Sequence, residues 1–323
     1  MGKASRTKVD VSRREKIAAQ RAAARKAERR RRILIAAGAI VVVVVVVVVF
    51  VVVKINKKPP PTAAPASNGP TGAALATLTR QVTTLPVSLL DSVGGGSVTS
   101  GGSLGNTSGD FMAPITGSAP LTSNGKPEFL YIGAEFCPYC GAERWPMIIA
   151  LSRFGTFSGL TTIHSSSTDS YANTPSWTFY GSKYTSSYIS FVSVEETRNY
   201  RIGNSASTSV NYVSLQTPTA AEQALATKYG TGYIPFIDIG NAYVEVGNLN
   251  PFGPQDLQGK SWSAIAAALS NPSSTIAKGA LGSANYLTAA ICKTTDNQPA
   301  SACTPTIKTL EAQLATLKAT SGS

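Results

Sequence analysis

Phe129-Leu130-Tyr131-Ile132-Gly133-Ala134-Glu135-Phe136 runs directly into Cys137-Pro138-Tyr139-Cys140. The apolar run predicts a buried strand, and the residues after it predict a helix. Two thiols at i and i+3 then fall on the first turn of that helix, where they can close a small, reversible disulfide. Free N–H groups at a helix start carry partial positive charge and favour a thiolate. The arrangement suits electron exchange better than scaffolding.

Further along the chain, 160–165 and 188–194 predict strands, and 218–229 predicts a helix with Thr217 as its N-cap. Segments 233–239 and 241–246 predict a strand pair joined at Gly240-Asn241, and 261–269, 276–291 and 307–319 predict helices. The helix over 140–154 is expected to bend or restart at Pro146, because proline removes one ladder bond. This order implies an α/β architecture, a mixed sheet flanked by helices with extra helices at the C-terminus.

The 323 residues carry a formal charge of +12. Residues 1–32 hold thirteen Lys/Arg against Asp10, Glu15 and Glu28, a net +10. The basic balance therefore belongs to a tail, and no nucleic-acid partner is expected. Segment 33–53 is 21 residues without a charge, nine of them consecutive valines. As a helix it would span about 31 Å, the thickness of a bilayer's hydrocarbon core. Arg29–Arg32 abut it, so a single-pass cell-membrane topology is expected, with residues 1–32 cytoplasmic and the rest extracytoplasmic. The run is longer than a cleaved signal's apolar core. The expected organisation is a basic tail at 1–32, a transmembrane helix at 33–53, and a Pro- and Gly/Ser-rich linker with short helices at 54–113. The sheet-bearing domain follows at 114–270 and a helical hairpin with a Cys pair at 271–323.

The layout resembles the thioredoxin fold. Ala134-Glu135-Phe136-Cys137-Pro138-Tyr139-Cys140 is similar to the strand–CxxC–helix opening of thioredoxins, glutaredoxins and DsbA-like proteins. Gly232-Tyr233-Ile234-Pro235-Phe236-Ile237, followed by a Gly-Asn turn, resembles the family's cis-proline loop. The whole chain also resembles an uncharacterised family of membrane-anchored prokaryotic thioredoxin-like proteins. By this resemblance Cys137 is the attacking thiol and Cys140 the resolving one. Pro138 and Tyr139 shape the site, and Ile234 and Pro235 face a bound substrate peptide. The implied partners are exported cysteine-containing proteins, a membrane redox partner and the lipid bilayer, with no cofactor. One departure stands out: thioredoxins and DsbA-like proteins carry a buried acid six residues before the first cysteine, and here that place holds Tyr131. Glu135, the nearest acid, is expected at the rim of the site.

Other readings of the cysteines remain. A permanent Cys137–Cys140 staple would constrain little chain entropy, since its loop is so short. A zinc site would need further ligands, and His164 is the single histidine, so no metal is expected. Cys292 and Cys303 enclose ten residues between two helices and read as a structural disulfide, with a second redox pair as the alternative. The expected function is a membrane-anchored extracytoplasmic thiol–disulfide oxidoreductase, an oxidase or isomerase of exported proteins. The alternatives are a non-catalytic thioredoxin-like binding module of the cell envelope and a metal-handling protein.

Overall fold

The computed structural model describes residues 69–98, 111–202, 211–247 and 252–320. The chain divides into two units, 1–60 and 61–323, and all described residues lie in the second. Its elements are α1 (Gly72–Thr83), α2 (Val87–Val93), β1 (Ala113–Pro114), β2 (Thr122–Ser123), β3 (Lys126–Gly133), α3 (Pro138–Leu151), β4 (Gly155–Ser158), β5 (Thr161–His164), β6 (Pro175–Thr178) and β7 (Lys183–Ser186). There follow β8 (Ser190–Glu195), β9 (Thr197–Arg201), β10 (Tyr212–Ser214), α4 (Ala220–Gly230), β11 (Phe236–Ile239), β12 (Tyr243–Val246), α5 (Pro254–Leu257), α6 (Trp262–Leu269), α7 (Thr275–Thr294) and α8 (Pro305–Leu314).

The fold is α/β, with a six-stranded mixed sheet flanked by helices. Strand β3 is central: β11 pairs antiparallel along one edge, β8 parallel along the other, and β2 meets its first residues. The order continues from β11 to β12 and β1. Both faces of β3 are covered, which explains its unbroken apolar run. Phe129 and Tyr131 enter one core, and Leu130 and Ile132 enter the other. The first core is built with α3, α6 and α7; the second includes Ala226 of α4 and Phe236 of β11.

Helix α3 is buried along its length except at Tyr139. It runs through Pro146 as one helix rather than restarting there. Helices α1 and α2 fall within the linker expected at 54–113, yet they pack on the body through Leu78, Val82 and Leu90. The Asn285 side-chain amide donates to the Leu90 and Gly94 carbonyls at 2.8 Å each, tying the end of α2 to α7. Cys292 at the end of α7 is bonded to Cys303, with 5.8 Å between the Cα atoms.

The membrane-anchored topology is corrected. Among the described residues no helix is long and apolar enough to cross a membrane, and the expected span at 33–53 lies outside them. The transmembrane element of the fold class, the single-pass cell-membrane localisation and the extracytoplasmic placement therefore have no support in the described part of the chain. The basic tail at 1–32 and the Gly/Ser-rich residues 99–109 also lie outside it.

Candidate active site

Strand β3 ends at Gly133 and delivers Ala134, Glu135 and Phe136 to the start of α3. Cys137 is the N-cap of that helix, and its sulfur accepts the Cys140 N–H at 3.3 Å. Pro138 occupies the first helical position, where its missing N–H costs nothing and its fixed φ suits the helix. Cys137 and Cys140 are free thiols. The two sulfurs are not equivalent. Cys137 retains 6% exposure and Cys140 none, so a partner can approach Cys137 first. A hydrogen bond from the Cys140 thiol, N–H groups of Cys140 and Tyr139, and the Arg144 guanidinium lower the Cys137 pKa against the opposing effect of burial. Burial first, and then Cys137 itself, push the Cys140 thiol well up. An N-terminal thiol biased toward thiolate beside a protonated one is the polarity that dithiol exchange requires.

The expected function needs correction here too. The disulfide among the described residues is Cys292–Cys303, not a closed Cys137–Cys140 pair. With the anchor also unsupported, a membrane-bound oxidase or isomerase of exported proteins is not the function these residues describe.

Of the other expected site residues, Tyr139 lies in the first turn of α3, and the Ile234–Pro235 segment leads into β11 beside the end of β3. Tyr139 is exposed and meets Tyr171 edge-on, with ring centroids 6.0 Å apart. The Ile234–Pro235 bond is cis, Pro235 is buried and Ile234 half-buried. Phe236 is opposite Ile132, so Pro235 comes level with Gly133, at the end of the strand that leads into Cys137. Tyr233, beside Ile234, is 69% exposed. Cys292 and Cys303 belong to the α7–α8 hairpin and contribute nothing to this loop. Glu135 is not a rim residue: it is 2% exposed, accepts from the Thr178 hydroxyl at 2.8 Å and faces Arg198 at 3.8 Å. Among the described residues no group of three His, Cys, Asp or Glu side chains is placed to hold a metal ion.

Sequence reasoning missed the groups beneath the dithiol. Arg144, one helical turn beyond Cys140, is fully buried. Its Nε donates to Glu195 Oε1 at 2.9 Å and its Nη2 to Glu195 Oε2, a fork-to-carboxylate pair. Nη2 also donates to the Ala134 carbonyl at 2.8 Å, the oxygen that accepts the Cys137 N–H at 3.3 Å. Burial alone would weaken the Arg144 charge, but Glu195 more than restores it, so the guanidinium stays cationic. Burial raises the Glu195 carboxyl, with Arg144 opposing. Tyr131 stands on the same face, and its phenol is pushed well above the ordinary range by burial. Glu143-Arg144 inside an otherwise apolar helix was the available signal, since a buried charge needs a partner.

No curated protein and no solved structure matches the chain. A family model described as a domain of unknown function, DUF929, matches residues 115–293, a span holding every strand of the main sheet except β1, both thiols, Pro235 and the Arg144–Glu195 pair. That match covers more than half of the 323 residues, and the chain belongs to this family.

Proposed function

We propose that the chain is a thiol–disulfide exchange enzyme whose reacting groups are Cys137 and Cys140. The observation that carries this reading is the polarity of the pair. Cys137, at the helix N-cap, is biased toward thiolate, and Cys140, one turn deeper, is held protonated. The Cys137 thiolate would attack a disulfide of a polypeptide, forming a mixed disulfide. Cys140 would then attack the Cys137 sulfur and release the partner's thiol. The cis Ile234–Pro235 segment and the exposed Tyr139 and Tyr233 border the approach, and they supply backbone and aromatic surface for an extended chain. The likeness of these two segments to thioredoxins belongs to the same reading.

The test is a trap. A Cys140→Ala variant of the full chain, mixed with a reduced-and-reoxidised cysteine peptide, should accumulate a covalent adduct through Cys137 that reductant dissolves. Wild type should pass through that adduct and end with its own disulfide. A Cys140→Ala protein that forms no adduct, while its free thiol count stays intact, would remove the reading.

A further inference from the structure

Resolution of the mixed disulfide requires Cys140, fully buried and held protonated, to become a nucleophile. The chain has no carboxylate at 131 to receive that proton, and the groups facing the sulfur are of another kind. Ala134 is the hub. Its carbonyl is held by Arg144, on the same helix one turn beyond Cys140, and by the Cys137 N–H. The Tyr131 ring folds back over the preceding residue, Gly133, so closely that a methyl group there would overlap the phenol oxygen. Gly133 is also in register with Glu195, which fixes Arg144 on this face. The phenol thus sits beside the residue that precedes Ala134, and the Arg144 guanidinium lies 5.8 Å from the Tyr131 ring centroid. Both cysteines, Arg144 and Glu195 act on it electrostatically. It is fully buried, and its hydroxyl has no hydrogen-bond partner.

A buried hydroxyl without a partner costs about 1–3 kcal/mol of desolvation, a cost that a partner gained in another state would offset. We propose that the Tyr131 O–H donates a hydrogen bond to the Cys140 thiolate during resolution, with the Arg144 guanidinium as the fixed positive charge behind it. This rests on the exchange reading above. The phenol's raised pKa keeps it a donor and rules it out as the base. The step balances without an outside reagent. Cys140 gives up its proton and attacks the Cys137 sulfur; the Cys137–Cys140 bond forms as the bond to the partner sulfur breaks. The electron pair leaves on that sulfur, which takes up a proton equivalent to the one released.

Tyr131→Phe removes one oxygen that bonds to nothing in the resting protein. A purely structural role therefore predicts equal or greater stability and unchanged sulfur chemistry. The experiment mixes reduced full-length protein with a chromogenic aromatic disulfide, which releases one thiolate on attack by Cys137 and a second on resolution by Cys140. For Tyr131→Phe the first phase should match wild type within twofold, and the second should slow about tenfold at neutral pH. An unchanged second phase, with the first intact, overturns the inference and leaves the exchange reading standing. A wild-type protein that releases no thiolate at all sinks both. Denaturant unfolding of the two proteins, run alongside, excludes a folding defect as the cause of any slowing.

Discussion

Gly133 carries more of the site than its size suggests. It adjoins the Tyr131 phenol so closely that no Cβ fits without displacing it. Gly133→Ala should cost about 1–3 kcal/mol in denaturant unfolding, the range for overpacking a dense core. Tyr131→Phe in the same chain should recover part of that loss, which a double-mutant cycle would measure. Two acids elsewhere in the sheet make stability depend on pH. Burial raises Asp238 to about 7 from an ordinary 3.8, and burial together with Glu143 holds Glu245 well above the ordinary range. An acid raised in the folded state favours the protonated fold. Its contribution is therefore complete below the unfolded pKa and falls as pH rises toward the folded one. Stability should decline between about pH 4 and pH 7 on account of Asp238. Asp238→Asn keeps an oxygen for the Asn241 N–H, bonded at 2.7 Å, and should flatten that decline. Thermal melts at pH 4 and pH 8 would check this. A gain of roughly 2 kcal/mol is expected at pH 8 and little at pH 4.

At the scale of the element, strand β3 and helix α3 were legible because their signals are local. An apolar run, a Pro at the first helical position and thiols one turn apart need no tertiary information. Helix α4 was legible too, although its N-cap is Thr219, which with Glu222 closes a capping box, rather than Thr217. In the region 152–201 the strands expected at 160–165 and 188–194 are β5 and β8, while β4, β6, β7 and β9 were not read. Strand β4 pairs with β7 in a small separate sheet, and the two are not neighbours in the chain. The Arg144–Glu195 pair was hidden for the same reason: only the parallel register of β8 beside β3 brings Glu195 under the helix. Glu135 misled because an acid near a thiol looks exposed until Thr178 and Arg198 are seen around it. The Cys292–Cys303 bridge closes a short loop across the α7–α8 hairpin. Opening it with Cys292→Ser/Cys303→Ser should lower unfolding free energy by about 3 kcal/mol, the loop-entropy value for a ring of this size. Under conditions where the fold holds, exchange at Cys137 should persist, since that bridge and the dithiol sit on different elements.

For the whole molecule, the body extends further toward the N-terminus than composition suggests. The Pro-rich approach and the Gly/Ser-rich stretch frame 72–93 as linker, yet Leu78, Val82 and Leu90 share a core with α3 and α7. A fragment beginning at residue 111 would expose that face. It should bind a hydrophobic dye and melt at lower temperature than a fragment beginning at residue 69. The dithiol helix lies inside this same core, so its chemistry and the stability of the body are linked through α3. The two thiols of α3 are electrostatically unequal, and the proposed chemistry depends on that inequality. The most direct measurement is the alkylation rate of each, resolved by peptide mass analysis across pH, on reduced full-length protein in its native state. Cys137 should react with a midpoint below that of a denatured control, while Cys140 stays protected until the fold is lost. Equal reactivity of the two thiols, or reaction at Cys140 first, would contradict it.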